Sequence, residues 1–218
     1  DSSNSVNLAV TSKEIMQDKI SSNEENGNFI YDKNLYSTEV LLSKIINSLL
    51  NAKAHKCIHL KSIQSIKHNE IVLNEEQVKA VNNVSDSPIS IITGGPGTGK
   101  TTIVGTIIRK AKISRLRVCL VAPTGRAAKR LSETTQHYAQ TIHRLLKWNH
   151  ITKSFSYGFN NKLNFDLVII DECSMLDIPL SASLLSAVEV GTTVVLVGDV
   201  DQLPSVGPGR FLMDFIMS

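Results

Sequence analysis

The chain has 218 residues, room for one full domain with an appendage but not for two large domains. Hydrophobic residues make up 42% of it and charged residues 20%, so a sizeable core is within reach and global disorder is not expected. The net charge is a mild +3, and no apolar run reaches the roughly 18 residues that would suggest a membrane span.

The N-terminal "DSSNSVNLAVTSKEIMQDK" has neither the basic nor the apolar region of a signal peptide. Within it "SKEIMQDKI" is a candidate helix. The polar cluster "SSNEENGN" at 21–28 and the "NFIYDKNLY" around it predict a short hairpin. "STEVLLSKIINSLLNA" follows, with Val40, Leu41, Ile45 and Leu49 at helical spacing and Ser37 or Thr38 as N-cap. Residues 1–70 therefore form a small, mainly helical segment that carries no visible chemistry.

From Ile89 onward short apolar runs alternate with helical ones. Strands are predicted at 90–93, 117–123, 166–172 and 192–199, with helices over "TTIVGTIIRKAK", "GRAAKRLSE" and, starting at Pro179, "PLSASLLSAV". Strands apolar on both faces and separated by helices indicate an α/β fold, a parallel sheet flanked by helices. Ligands of such sheets bind at the carboxyl ends of the strands. Cys57, Cys119 and Cys173 are odd in number and lack metal-ligand spacing, which fits free thiols in a reducing cytoplasm.

Gly94 to Thr101 fits G-x-x-x-x-G-K-[ST] between a strand and a helix. In the loop Gly95, Pro96, Gly97, Thr98 and Gly99, the glycines would let the backbone N–H groups (Pro96 has none) curl into an anion nest, and the helix opening at Lys100, Thr101 and Thr102 would add its dipole. Lys100 supplies a point charge for β- and γ-phosphates, and the Thr101 hydroxyl can ligate Mg²⁺. In "LVIIDECSM", Asp171 ends a strand where it can hold Mg²⁺, and Glu172 can deprotonate a water. An ordinary acid pair capping a helix is the competing account.

Charge is segregated. Arg109 to Lys147 holds ten Lys or Arg and a single acid, Glu133, whereas Asp166 to Asp201 holds seven acids and no Lys or Arg. The first segment suits a polyanion, and two solvated faces by chance suit the pattern as well.

"LNEEQ", "GGPGTGKTT", "APTGRAAKRLSE", "QTIHRLL", "IIDECSMLD" and "VGDVDQLPSVGPG" resemble, in order, the motifs of superfamily 1 helicases. They are most similar to the RecD-like branch, the alpha subunit of exodeoxyribonuclease V and its stand-alone relatives. The resemblance runs from Leu73 to Gly209 and implies a RecA-like P-loop NTPase domain over 71–218 that binds ATP and Mg²⁺ and moves 5′ to 3′ on single-stranded DNA. Gln77 would read adenine, and Asp199 and Gln202 would sense the γ-phosphate. Thr124, Gly125, Arg126, Thr141 and His143 would touch the DNA backbone. His143 taken alone is as readily a packed histidine. Cys173 stands where the family usually has a small alanine. The resemblance also implies a second RecA-like domain and, in nuclease complexes, further subunits. Neither is visible before Ser218, so the chain is expected to be a piece of a longer protein. The rival accounts are a P-loop ATPase that ignores DNA and a nucleotide-binding module without hydrolysis.

Overall fold

The computed structural model describes residues 32–52, 73–203 and 205–217. The first element, α1 (Lys33–Leu50), starts earlier than its apolar spacing suggests. Asp32 is the N-cap, and its Oδ1 accepts from the backbone N–H groups of Asn34 (2.9 Å) and Leu35 (3.0 Å). Two orphan donors are satisfied at once, which draws "KNLY" into the helix in place of the predicted hairpin. Leu35 then joins the stripe of Leu42, Ile45, Ile46 and Leu49. Ser37 and Thr38, the expected caps, lie inside the helix and donate to the carbonyls of Lys33 and Asn34. The predicted "SKEIMQDKI" helix, the 21–28 turn and Cys57 lie outside the described residues.

The helix α2 (Glu75–Asp86) leads into β1 (Ile89–Thr93), and α3 (Lys100–Ile113) follows the glycine loop. After β2 (Val118–Ala122) come α4 (Gly125–Thr135), β3 (Ala139–Thr141) and the single turn α5 (Ile142–Leu145). A small antiparallel pair, β4 (Trp148–Asn149) and β5 (Ser154–Phe155), precedes β6 (Leu167–Ile170). A 3₁₀ turn at Cys173–Met175, α6 (Ile178–Ala187), β7 (Thr193–Gly198) and α7 (Phe211–Met217) complete the order. Pro179 sits in the first turn of α6, where its missing N–H costs nothing, behind an Asp177 cap that accepts from Leu180 N at 2.8 Å.

The main sheet runs β1-β7-β6-β2-β3, and every neighbouring pair is parallel. Side chains along each strand alternate between two apolar layers. Leu167, Ile169, Val195 and Val197 meet α2, α3 and α4, whereas Val168, Ile170, Val194 and Leu196 meet α1, α6 and α7. This double coverage is why the strands read as unbroken apolar runs. α1 packs on α6, so its apolar stripe belongs to the core of the sheet domain.

One charged group is trapped in that packing. Glu39 on α1 is only 4% exposed, and its Oε2 has no hydrogen-bond partner. Burial first, and the Asp214 charge second, raise its carboxyl from 4.5 to about 7. The folded state thus holds this proton more tightly than the unfolded chain. Stability from this group is complete below pH 4.5 and is lost as pH rises through about 7. A loss on the order of 2 to 3 kcal/mol is expected across that range. Thermal melts from pH 5 to 8 should show it for the wild type and not for Glu39→Gln. Parallel pH profiles for the two would reject the assignment.

Candidate functional site

Parallel strands all point one way, so every predicted site residue that follows a strand arrives at one edge of the sheet. From one end to the other, that edge carries the glycine loop after β1, Asp199 after β7 and Asp171–Glu172 after β6. Thr124–Gly125–Arg126 follows β2, and Thr141 and His143 close β3 and enter α5. Residues up to 105 positions apart in the chain thereby become neighbours, since Thr93 pairs with Gly198.

The loop owes its shape to glycine. Gly97 (φ +78°) and Gly99 (φ +85°) adopt left-handed backbone, and Gly99 is also the N-cap of α3. A Cβ on Gly99 would fall 2.4 Å from Nε2 of Gln77, so α2 closes directly over the loop. Thr98 Oγ1 donates to the Gly95 carbonyl at 2.9 Å. Lys100 curls back to donate to the carbonyls of Gly94 and of Gly95, the latter at 2.9 Å. The ammonium is therefore held inside the nest that α3 opens, with Thr101 and Thr102 in the first helical turn.

Gln77 holds the loop from above. Its Nε2 donates to Thr98 O (3.2 Å), and its Oε1 accepts from Asn74 N (3.1 Å) in a capping box that starts α2. Both ends of the amide are engaged, each with one hydrogen-bonding position left over.

Asp171 is half-buried one residue beyond β6. Burial is the largest influence and pushes its carboxyl above the ordinary range. The Glu172 charge acts the same way, while the Glu172 N–H, Arg130 and Lys100 pull against it. The Lys100 ammonium and the Asp171 carboxyl thus feel one another across the site. Glu172 takes the left-handed conformation (φ 56°), unusual for a residue with a side chain, and opens the 3₁₀ turn. Its Oε1 accepts from Arg130 Nη2 on α4 at 2.8 Å. Asp199 is 2% exposed, and its Oδ1 accepts from Asp201 N at 3.1 Å. Gln202 is tied to the turn after β6, where its Oε1 accepts from Ser174 Oγ at 3.4 Å.

Among the described residues no three His, Cys, Asp or Glu side chains cluster to hold a metal ion. The Thr101 hydroxyl and the Asp171 carboxylate, which follow neighbouring parts of the same sheet edge, are hard oxygen donors, the chemistry that suits an ion such as Mg²⁺ that keeps waters and shares phosphate oxygens.

Toward the other end of the edge, Thr124 and Thr141 are N-caps, accepting from Ala127 N and Arg144 N, both at 3.2 Å. Each hydroxyl keeps its own proton to donate outward. His143 is exposed, with its ring 5.6 Å from Phe155 and 6.2 Å from Trp148. The basic segment does not form one face. Lys110 is buried, and Arg117 at the opposite end of β2 donates through N, Nε and Nη2 to Asp166, whose side chain is 3% exposed. Arg126, Arg144 and Lys147 remain exposed near the carboxyl ends of β2 and β3. Sequence reasoning missed Arg130; its place four residues after Arg126 in the same helix was the available signal. The two described cysteines, Cys119 and Cys173, are buried free thiols, and burial pushes Cys119 up to about 12. Among the described residues no helix is long and apolar enough to cross a membrane.

Residues 77–208 match the AAA_19 family, described as an AAA domain. The chain is 43% identical over 141 residues to the ATP-dependent RecD2 DNA helicase of Deinococcus radiodurans, covering 65% of this chain and 19% of that protein. It is 38% identical over 160 residues to the RecBCD enzyme subunit RecD of Haemophilus influenzae, covering 62% of this chain and 25% of that one. The chain thus spans about a quarter or less of these curated relatives. The crystal structure of Pif1 helicase from Candida albicans superposes with a TM-score of 0.50 at 24% identity, over 65% of this chain and 36% of that one, and shares the fold.

Proposed function

Because the chain belongs to the AAA_19 family of AAA domains, we propose that residues 71–218, with α1 packed into their core, form the ATP-binding motor domain of an ATP-dependent DNA helicase of the RecD-like branch. The observation that carries this is the single sheet edge on which the phosphate loop, Asp199, Asp171–Glu172 and the Thr124–Arg126 turn stand in succession. Nucleotide and polynucleotide would then lie side by side on one rigid rim.

Lys100 and the loop N–H groups bind the phosphates of ATP, and Gln77 reads the adenine with its spare amide positions. Thr101 and Asp171 would hold Mg²⁺, which when bound neutralises charge on the β- and γ-phosphate oxygens. Glu172 accepts a proton from the attacking water. The water's oxygen bonds to the γ-phosphorus as the bond from that phosphorus to the β–γ bridging oxygen breaks, giving ADP and inorganic phosphate. Asp199 and Gln202 sense the γ-phosphate, Gln202 through its link to Ser174 beside the catalytic turn. Thr124, Gly125, Arg126, Thr141 and His143 contact the single-stranded backbone. Cations from a second RecA-like domain complete the site, and supplied arginines are worth about 10³ to 10⁵ in rate. The relatives named as RecBCD subunits make nuclease-complex partners a further part of this proposal.

The test is DNA binding and turnover together. With half a groove, about two or three phosphates are neutralised, so the log–log salt slope of single-stranded DNA affinity should be near −2 at roughly −0.7 per phosphate. Arg126→Ala should weaken binding equally for all base sequences. ATPase of the full-length gene product should rise with single-stranded DNA. No binding at low salt, or a strong base preference, would sink the DNA role.

A further inference from the structure

The Arg130–Glu172 pair is placed to link the two halves of the rim. Glu172 is the residue assigned the water's proton, yet one of its oxygens already accepts a charge-assisted hydrogen bond from Arg130 at 2.8 Å. That oxygen cannot take a proton from water along the same direction. The carboxylate is also carried on left-handed backbone, a conformation that persists only when its surroundings hold it. The Glu172 side chain is 15% exposed, whereas that of Arg130 is 67% exposed. A pair with one partner so open to solvent is held weakly and can be exchanged. Arg130 lies on α4 one turn beyond Arg126, so the two guanidinium groups share a helix face with the turn assigned to the DNA backbone.

We propose that Arg130 is a positioning residue that parks Glu172 away from its water, and that a DNA phosphate, by taking Arg130, releases Glu172 for catalysis. The response to DNA would then be built into the first domain, acting beside the cations that a second domain supplies. The inference rests on the helicase reading above and on Glu172 as the base.

The experiment compares Arg130→Ala, Arg130→Lys and Glu172→Gln in the full-length gene product, measuring kcat and KM for ATP with and without single-stranded DNA. General-base catalysis is worth about 10² to 10⁴, so freeing Glu172 in Arg130→Ala should raise DNA-independent kcat about tenfold with KM unchanged. The ratio of stimulated to basal rate should fall accordingly. Arg130→Lys, with a charge but no fork, should lie between, and it serves alone if the alanine variant does not fold. Independently of activity, Arg130→Ala should reduce the salt slope for single-stranded DNA by about 0.7, one phosphate. An unchanged or lowered basal kcat, or an unchanged slope, overturns the proposal. If Glu172→Gln hydrolyses ATP normally, the underlying assignment of the base has failed instead.

Discussion

Glu172→Gln in the full-length gene product is expected to lower kcat for ATP by about 10² to 10⁴, the range that general-base catalysis supplies. The amide keeps the shape of the side chain and can still accept from Arg130 Nη2 through its oxygen. What it loses is the ability to accept the water's proton. Nucleotide affinity should stay within about twofold, because the loop and Lys100, not Glu172, meet the phosphates. Single-turnover hydrolysis beside equilibrium binding separates the two quantities. Near-normal turnover would remove Glu172 from the role and turn attention to Asp199, the buried acid at the end of the next strand.

Lys100→Ala should act on the other quantity. A hydrogen bond between charged partners contributes about 1.5 to 3 kcal/mol, so losing the ammonium should weaken ATP binding by about 10- to 150-fold. Folded stability should change by less than about 0.5 kcal/mol, since the ammonium bonds only to carbonyls of its own loop and leaves the apolar layers untouched. Titration with a fluorescent ATP analogue beside a thermal melt checks both. Wild-type affinity in the variant would dismiss the loop as a phosphate site.

Legibility in the sequence followed the length scale of each cause. The β6 and β7 strands could be read because burial on both faces leaves an unbroken apolar run, and the glycine loop because its backbone demands are strict. β3 could not, since three residues with the mixed character of Ala139–Thr141 carry no period. The start of α1 was misplaced because one Asp32 carboxylate outweighed the β-propensity of the residues after it. Arg130 escaped for a different reason. Its partner lies 42 residues away, and only the order of strands decides that α4 faces the turn after β6. Lys110 and Arg117 show the converse, two cations that swelled an apparent basic patch while one is buried and the other is tied to Asp166.

Among the described residues β1 has a single neighbour, β7, though the two are about a hundred residues apart along the chain and such distant pairings form slowly. The phosphate loop therefore leaves the ribosome long before the strand that will anchor it. Until Thr193–Gly198 has been made, β1 is a bare apolar edge open to wrong partners. A nucleotide held by that loop would therefore act late, locking together two strands made far apart in time.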